Sequence, residues 1–139
     1  RLEYIDNLIF PNLIHPSAII SSVIKIGQGN VIGPRSIINR ETTLNNFTIV
    51  NSAAVVEHDC ILNDFSHLAP NVTLGGGVKI GLRSFMGIGA TIIHKIDISD
   101  DVVVGAGSTV VKSIRKNESV YFGQPAKFIK GRDMNSRYL

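Results

Sequence analysis

Aliphatic side chains recur at every sixth position: Ile14, Ile20, Ile26, Ile32, Ile38, Leu44, Val50, Val56, Leu62, Leu68, Leu74, Ile80, Met86, Ile92, Ile98, Val104 and Val110. All seventeen are aliphatic or Met, a row that neither the 3.6-residue period of a helix nor the simple alternation of a long strand generates. Small residues stand two places before most of them, as at Ala18, Ser36, Thr48, Ala54, Cys60, Ser66, Ser84 and Ser108. Strand side chains alternate, so these two positions face one way and the residue between them the other. Asn, Gly or Ser commonly follows the aliphatic residue (Ser21, Gly27, Asn45, Gly75, Gly87) and is expected to supply a corner conformation. A chain that turns by a constant amount every six residues coils, and its coils stack. The expected fold is all-β, a parallel β-helix over residues 13–112, with all seventeen side chains inside.

The residues between the inward pairs say how many hexads close a coil. Sorted by every third hexad, one row reads Lys25, Thr43, Ile61, Lys79, Asp97 and a second reads Val31, Ile49, His67, Phe85, Val103. The third reads Ile19, Ile37, Val55, Thr73, Thr91, Thr109. One polar and two apolar faces describe a triangular prism. Outward apolar faces need a partner, most simply two further copies about a three-fold axis, so a homotrimer is expected.

Composition narrows the class. At 139 residues the chain has room for one domain. With 44% hydrophobic and 18% charged residues it is too apolar for disorder and too interrupted for a membrane span. A single cysteine, Cys60, excludes a disulfide framework and a Cys-rich zinc site and suits a reducing compartment. No secretory leader opens the chain, and a cytoplasmic location is expected. The chain begins with Arg1 and not Met, which suggests a piece of a longer protein.

Net charge is +3, but residues 112–139 hold seven basic side chains against two acidic ones, a local excess of five. Such a patch suits a phosphorylated small molecule. Nucleic acid is not expected, on the reading that no aromatic stacking groups are interleaved with these charges.

Candidate chemistry centres on Val56-Glu57-His58-Asp59-Cys60. His58 falls at a corner with carboxylates on both sides, and an imidazole held by a carboxylate is a competent general base. One coil above lies Gly75-Gly76-Gly77, a bare corner at which a substrate can approach backbone N–H groups, as acyl transfer requires. Cys60 occupies an inward position and is rejected as a nucleophile. His67 lies on the apolar face opposite the corner of His58, so the two are expected to meet only between neighbouring subunits. His94, two coils above His58, raises a zinc reading like that of β-helical carbonic anhydrases. The position that would supply the third histidine there is Ser99, and no metal is expected. His15 is read as structural.

The unbroken hexapeptide row, together with Asn12-Leu13-Ile14-His15-Pro16-Ser17-Ala18, Glu57-His58-Asp59-Cys60, Ser66-His67-Leu68-Ala69-Pro70 and Gly123-Gln124-Pro125-Ala126-Lys127, resembles the left-handed β-helix acyltransferases. Within them it resembles the sialic acid O-acetyltransferase and bacterial nucleotide-amino-sugar N-acetyltransferase family. The left hand of the coil is implied by this resemblance alone. So is an acetyl-CoA-dependent sugar acetyltransferase in which His58 removes a proton from a sugar amine, or a hydroxyl, and Asp59 orients it. His67, Gly76 and the backbone at Ile88 and Ala106 would contact acetyl-CoA, with Lys112 and Lys127 on its phosphates. The resemblance further makes residues 1–12 a link from an absent N-terminal sugar-binding domain and residues 113–139 a basic C-terminal tail. A fragment of this kind would lose most of its affinity for the sugar. The rival readings are a sialic acid O-acetyltransferase and a non-catalytic oligomerisation scaffold.

Overall fold

The computed structural model describes residues 8–133. Residues 1–7 of the expected linker and 134–139 of the expected tail lie outside the described residues. The chain winds as a left-handed parallel β-helix of about six turns, with no helix among the described residues. The strands of the coils are two residues long with one exception, Val102–Val104. Up to the last coil each pairs with the strand eighteen residues on, as in Ile49↔His67 and His67↔Phe85.

Three parallel sheets form the sides. The first stacks Leu13–Ile14, Val31–Ile32, Ile49–Val50, His67–Leu68, Phe85–Met86 and Val102–Val104. The second carries Ile19, Ile37, Val55, Thr73, Thr91 and Thr109, and the third Lys25, Thr43, Ile61, Lys79 and Asp97, so the outward rows sort onto the sides as the spacing predicts.

The inward row is buried from Ile32 (1% exposed) to Val110 (2%), but its first three members are not. Ile14 is 48% and Ile26 37% exposed, and Ile20 is half-buried. The expectation of seventeen buried side chains is thereby corrected. A first coil has a neighbour on one side only, so its inward residues lack half the packing that later coils give each other.

The corners also differ from the sequence-based expectation. Left-handed backbone recurs every six residues from Gly29 (φ 69°) to Gly107 (φ 66°), but it falls three residues after the aliphatic position and not one. Asp59 (φ 60°) and Gly77 (φ 71°) are such residues. Glycine directly after the aliphatic position answers a different need, close approach of the next coil. A Cβ on Gly75 would stand 2.6 Å from the backbone nitrogen of His94.

Beyond the last coil the chain closes with a hairpin, Ser119–Gly123 and Ala126–Gly131. Its first strand pairs in parallel with Val102–Val104 and so extends the first sheet. Arg132, just after the hairpin, donates from its side chain to the carbonyl of Arg83 at 3.2 Å. Arg83 forms a two-point ion pair with the buried Asp101, at 2.7 and 2.6 Å. The same hairpin corrects the reading of the basic tail: Tyr121, Phe122 and Phe128 are interleaved with its charges, and Lys116 Nζ lies 4.1 Å from the centre of the Phe128 ring.

Candidate active site

His58 stands on the corner between the second and third sheets, after the strand Val55–Val56 and before Ile61–Leu62. The left-handed turn at Asp59 swings its carboxylate back beside the preceding residue, and Asp, with a short polar side chain, tolerates that conformation better than most. His58 Nδ1 and Asp59 Oδ2 are 2.6 Å apart. An ionised carboxylate only accepts, so Nδ1 carries the hydrogen and Nε2 presents a lone pair. Both side chains are more than half exposed, His58 at 56% and Asp59 at 61%. The other flanking carboxylate is occupied: Asn39 Nδ2 donates to Glu57 Oε2 at 2.9 Å.

The imidazole leans up the prism onto Gly76. A Cβ on that residue would stand 2.7 Å from both Cε1 and Nε2 of the ring, so only glycine admits this pose. Within the glycine run, the Gly75 N–H is donated to Ile92 O and the Gly77 N–H to His58 O, each at 2.8 Å. Gly76 N–H makes no hydrogen bond among the described residues. A lone pair at Nε2 therefore faces a bare corner that offers one spare amide.

The remaining candidates fall elsewhere. His67 lies in the first sheet, on the side opposite the His58 corner. Its ring packs edge-on against Phe85 with centres 5.0 Å apart, and its Nε2 is buried without a hydrogen-bond partner. Burial lowers its pKa from the ordinary 6.5, so the neutral imidazole is favoured. Ile88 and Ala106 stack on the corner between the first and second sheets, where Gly107 N–H donates to Ile88 O at 2.8 Å. Both are exposed, and the space beside Gly89 and Gly107 is open. Lys112 is exposed, on the His58 corner and three coils above the base, whereas Lys127 is exposed on the hairpin. One subunit thus unites His58, Asp59 and Gly76, but not these with His67, Ile88, Ala106 or Lys127.

Cys60 is buried and donates to Gly75 O at 3.3 Å. Burial pushes its thiol up to about 11, which removes it as a thiolate nucleophile. His15 stays local, its Nδ1 2.9 Å from Ser17 Oγ. Among the described residues no group of three or more His, Cys, Asp or Glu side chains could hold a metal ion. The hairpin turn was not foreseen as a contact with the Ile88 corner: Gln124 Nε2 donates to Gly107 O at 2.6 Å.

No protein-family model and no curated protein matches the chain. Solved structures do. PerB from Caulobacter crescentus, in complex with CoA and GDP-perosamine, matches at 38% identity and a TM-score of 0.86, over 88% of this chain and 58% of that one. A variant of GDP-perosamine N-acetyltransferase from Caulobacter crescentus, with the same two ligands, matches at 37% and 0.86 over the same shares. The acetyltransferase domain of PglB from Neisseria gonorrhoeae, also solved with acetyl coenzyme A, matches at 36% and 0.84, over 87% of this chain and 58% of that one. The chain therefore spans less than two thirds of the length of these relatives. In its repeat and its fold the chain is similar to the hexapeptide-repeat β-helix N-acetyltransferases represented by PerB and the acetyltransferase domain of PglB.

Proposed function

We propose that this domain transfers the acetyl group of acetyl-CoA to the amine of a nucleotide-linked sugar, with His58 as general base. The observation that carries the reading is the 2.6 Å contact between His58 Nδ1 and Asp59 Oδ2, with Nε2 turned onto the bare Gly76 corner. The ligands of the relatives, CoA with GDP-perosamine in PerB and acetyl coenzyme A in the PglB domain, support the same chemistry.

In this mechanism the acceptor nitrogen attacks the thioester carbonyl while Nε2 takes a proton from the amine. The carbonyl oxygen gains negative charge in the tetrahedral intermediate, and the spare Gly76 amide is the group placed to receive it. Collapse breaks the carbon–sulfur bond, and the imidazolium returns its proton to the departing sulfur, giving CoA and the amide. Asp59 holds one tautomer of His58 throughout.

The full site needs a homotrimer. The apolar first side supports an interface there, at which His67 of one subunit joins the His58 corner of the next. His67, the Ile88–Ala106 backbone, Lys112 and Lys127 then serve acetyl-CoA. We place the reaction in the cytoplasm, in the biosynthesis of polysaccharide; among the described residues no helix is long and apolar enough to cross a membrane.

A thiol-release assay with acetyl-CoA and a panel of nucleotide amino sugars tests the reading. Turnover that falls by about 10²–10⁴ in His58→Ala is the expected result. Turnover unchanged by that substitution, or no acetyl-CoA-dependent thiol release at all, contradicts it.

A further inference from the structure

Resting on the acetyl-CoA reading above, we infer that the C-terminal hairpin carries a nucleotide platform, in which the open face of Phe122 stacks on the adenine of CoA and Lys127 meets a phosphate. Phe122 is 54% exposed, although its ring is held in place. It lies on Gly105, where any Cβ would collide with it. The ring meets Gly105 through its Cδ2 edge, so backbone positions it while much of the ring stays exposed.

The hairpin register sets its neighbours. Phe122 is paired directly with Lys127, and directly opposed residues of an antiparallel pair project from the same face, roughly 5 Å apart at Cβ. Tyr121 is paired with Phe128 on the other face, their rings 5.8 Å apart, and Tyr121 packs against the core. Alternation therefore divides the aromatic residues of this hairpin into a packing pair and an open ring beside a cation.

Position supplies the ligand. The exposed residues Ile88 and Ala106 climb the corner between the first and second sheets, with open space at Gly89 and Gly107. Phe122 stands at the upper end of that row, one rung above Gly105, as the pairing of Val104 with Tyr121 requires. The turn is tied to the same corner twice, by Gln124 Nε2 on Gly107 O at 2.6 Å and by Gly123 N–H on Ser108 Oγ at 3.1 Å. An extended thioester arm laid along the glycine row ends against an aromatic face with an ammonium beside it. A purine and a phosphate are the groups that such a pair recognises, the base through its π-face and the anion through charge. Phe122 would then be a binding residue that makes the site prefer CoA over carriers that lack adenosine.

Isothermal titration of the whole chain with CoA and with 4′-phosphopantetheine, which lacks the adenosine, tests this. Phe122→Ala is expected to weaken CoA about tenfold, the scale of one base–aromatic stack, and to leave phosphopantetheine binding unchanged. Phe122→Leu keeps bulk on Gly105 but offers no π-face and is expected to weaken CoA as well, while Lys127→Ala weakens it through lost charge. Wild-type affinity for CoA in both Phe122 variants overturns the platform, as does equal weakening of the two ligands. If the wild type binds neither ligand, it is the acetyl-CoA reading itself that fails.

Discussion

The imidazole of His58 rests on Gly76, the residue one coil above it, with Cε1 and Nε2 each 2.7 Å from where a Cβ would stand. Gly76→Ala must therefore push the ring aside, and the exposed ring can move. Activity is expected to fall about a hundredfold, the cost of roughly 1 Å of misplacement in a catalytic group, while the unfolding temperature changes little. Steady-state kinetics alongside thermal melting check this; an active Gly76→Ala enzyme would show that the pose is not used.

Asp59 acts on His58 through one hydrogen bond, so its loss should cost less than loss of the base. Asp59→Asn keeps the left-handed corner, which Asn also tolerates, but its amide can turn its NH₂ toward Nδ1 and favour the wrong tautomer. The acetylation rate is expected to fall, by less than in His58→Ala, with KM for acetyl-CoA little changed. An unaltered rate would mean that the 2.6 Å contact has no catalytic part.

His67 links stability to pH. Its pKa in the folded chain is below 6.5 because burial disfavours the charged ring, so the unfolded chain binds the proton more readily. Stability from this residue is present above pH 6.5 and is lost as pH falls below it. Urea titrations from pH 7.5 to 5 are expected to show a steeper acid-side decline in the wild type than in His67→Asn; equal slopes would contradict this.

Asp101 holds the end of the hairpin. It is 4% exposed and takes two hydrogen bonds from Arg83, whose pKa is raised chiefly by them. Asp101→Asn retains the shape and removes the charge. A modestly lower midpoint in chemical denaturation is expected, since Arg83 is half exposed and water softens the effect. No change in the midpoint would show that the pair is idle.

The coil was legible because its physics is local and repeated. Ile32, Leu68 and Ile92 each meet the same requirement, an inward side chain every six residues, and the row could be counted. The ends were not legible, because Ile14 and Ile26 obey the same spacing yet have neighbours on one side only. Corner chemistry was misplaced for a related reason: Arg35, Phe47 and Ala53 adopt left-handed φ without being turn-forming residues, so no residue type marked the position. His58, Asp59 and Gly76 could be placed together by adding eighteen. Phe122 could not, because its seat on Gly105 depends on a hairpin that breaks the period: Val104 pairs with Tyr121, seventeen residues on.

Mixing inactive subunits tests the shared site most directly. His58→Ala and His67→Ala subunits, each inactive alone, are unfolded together in equal amounts and refolded. In a closed ring, where each site takes His58 from one subunit and His67 from its neighbour, random assortment restores about a quarter of the wild-type rate. A mixture that remains as inactive as its two components would contradict a site built between subunits.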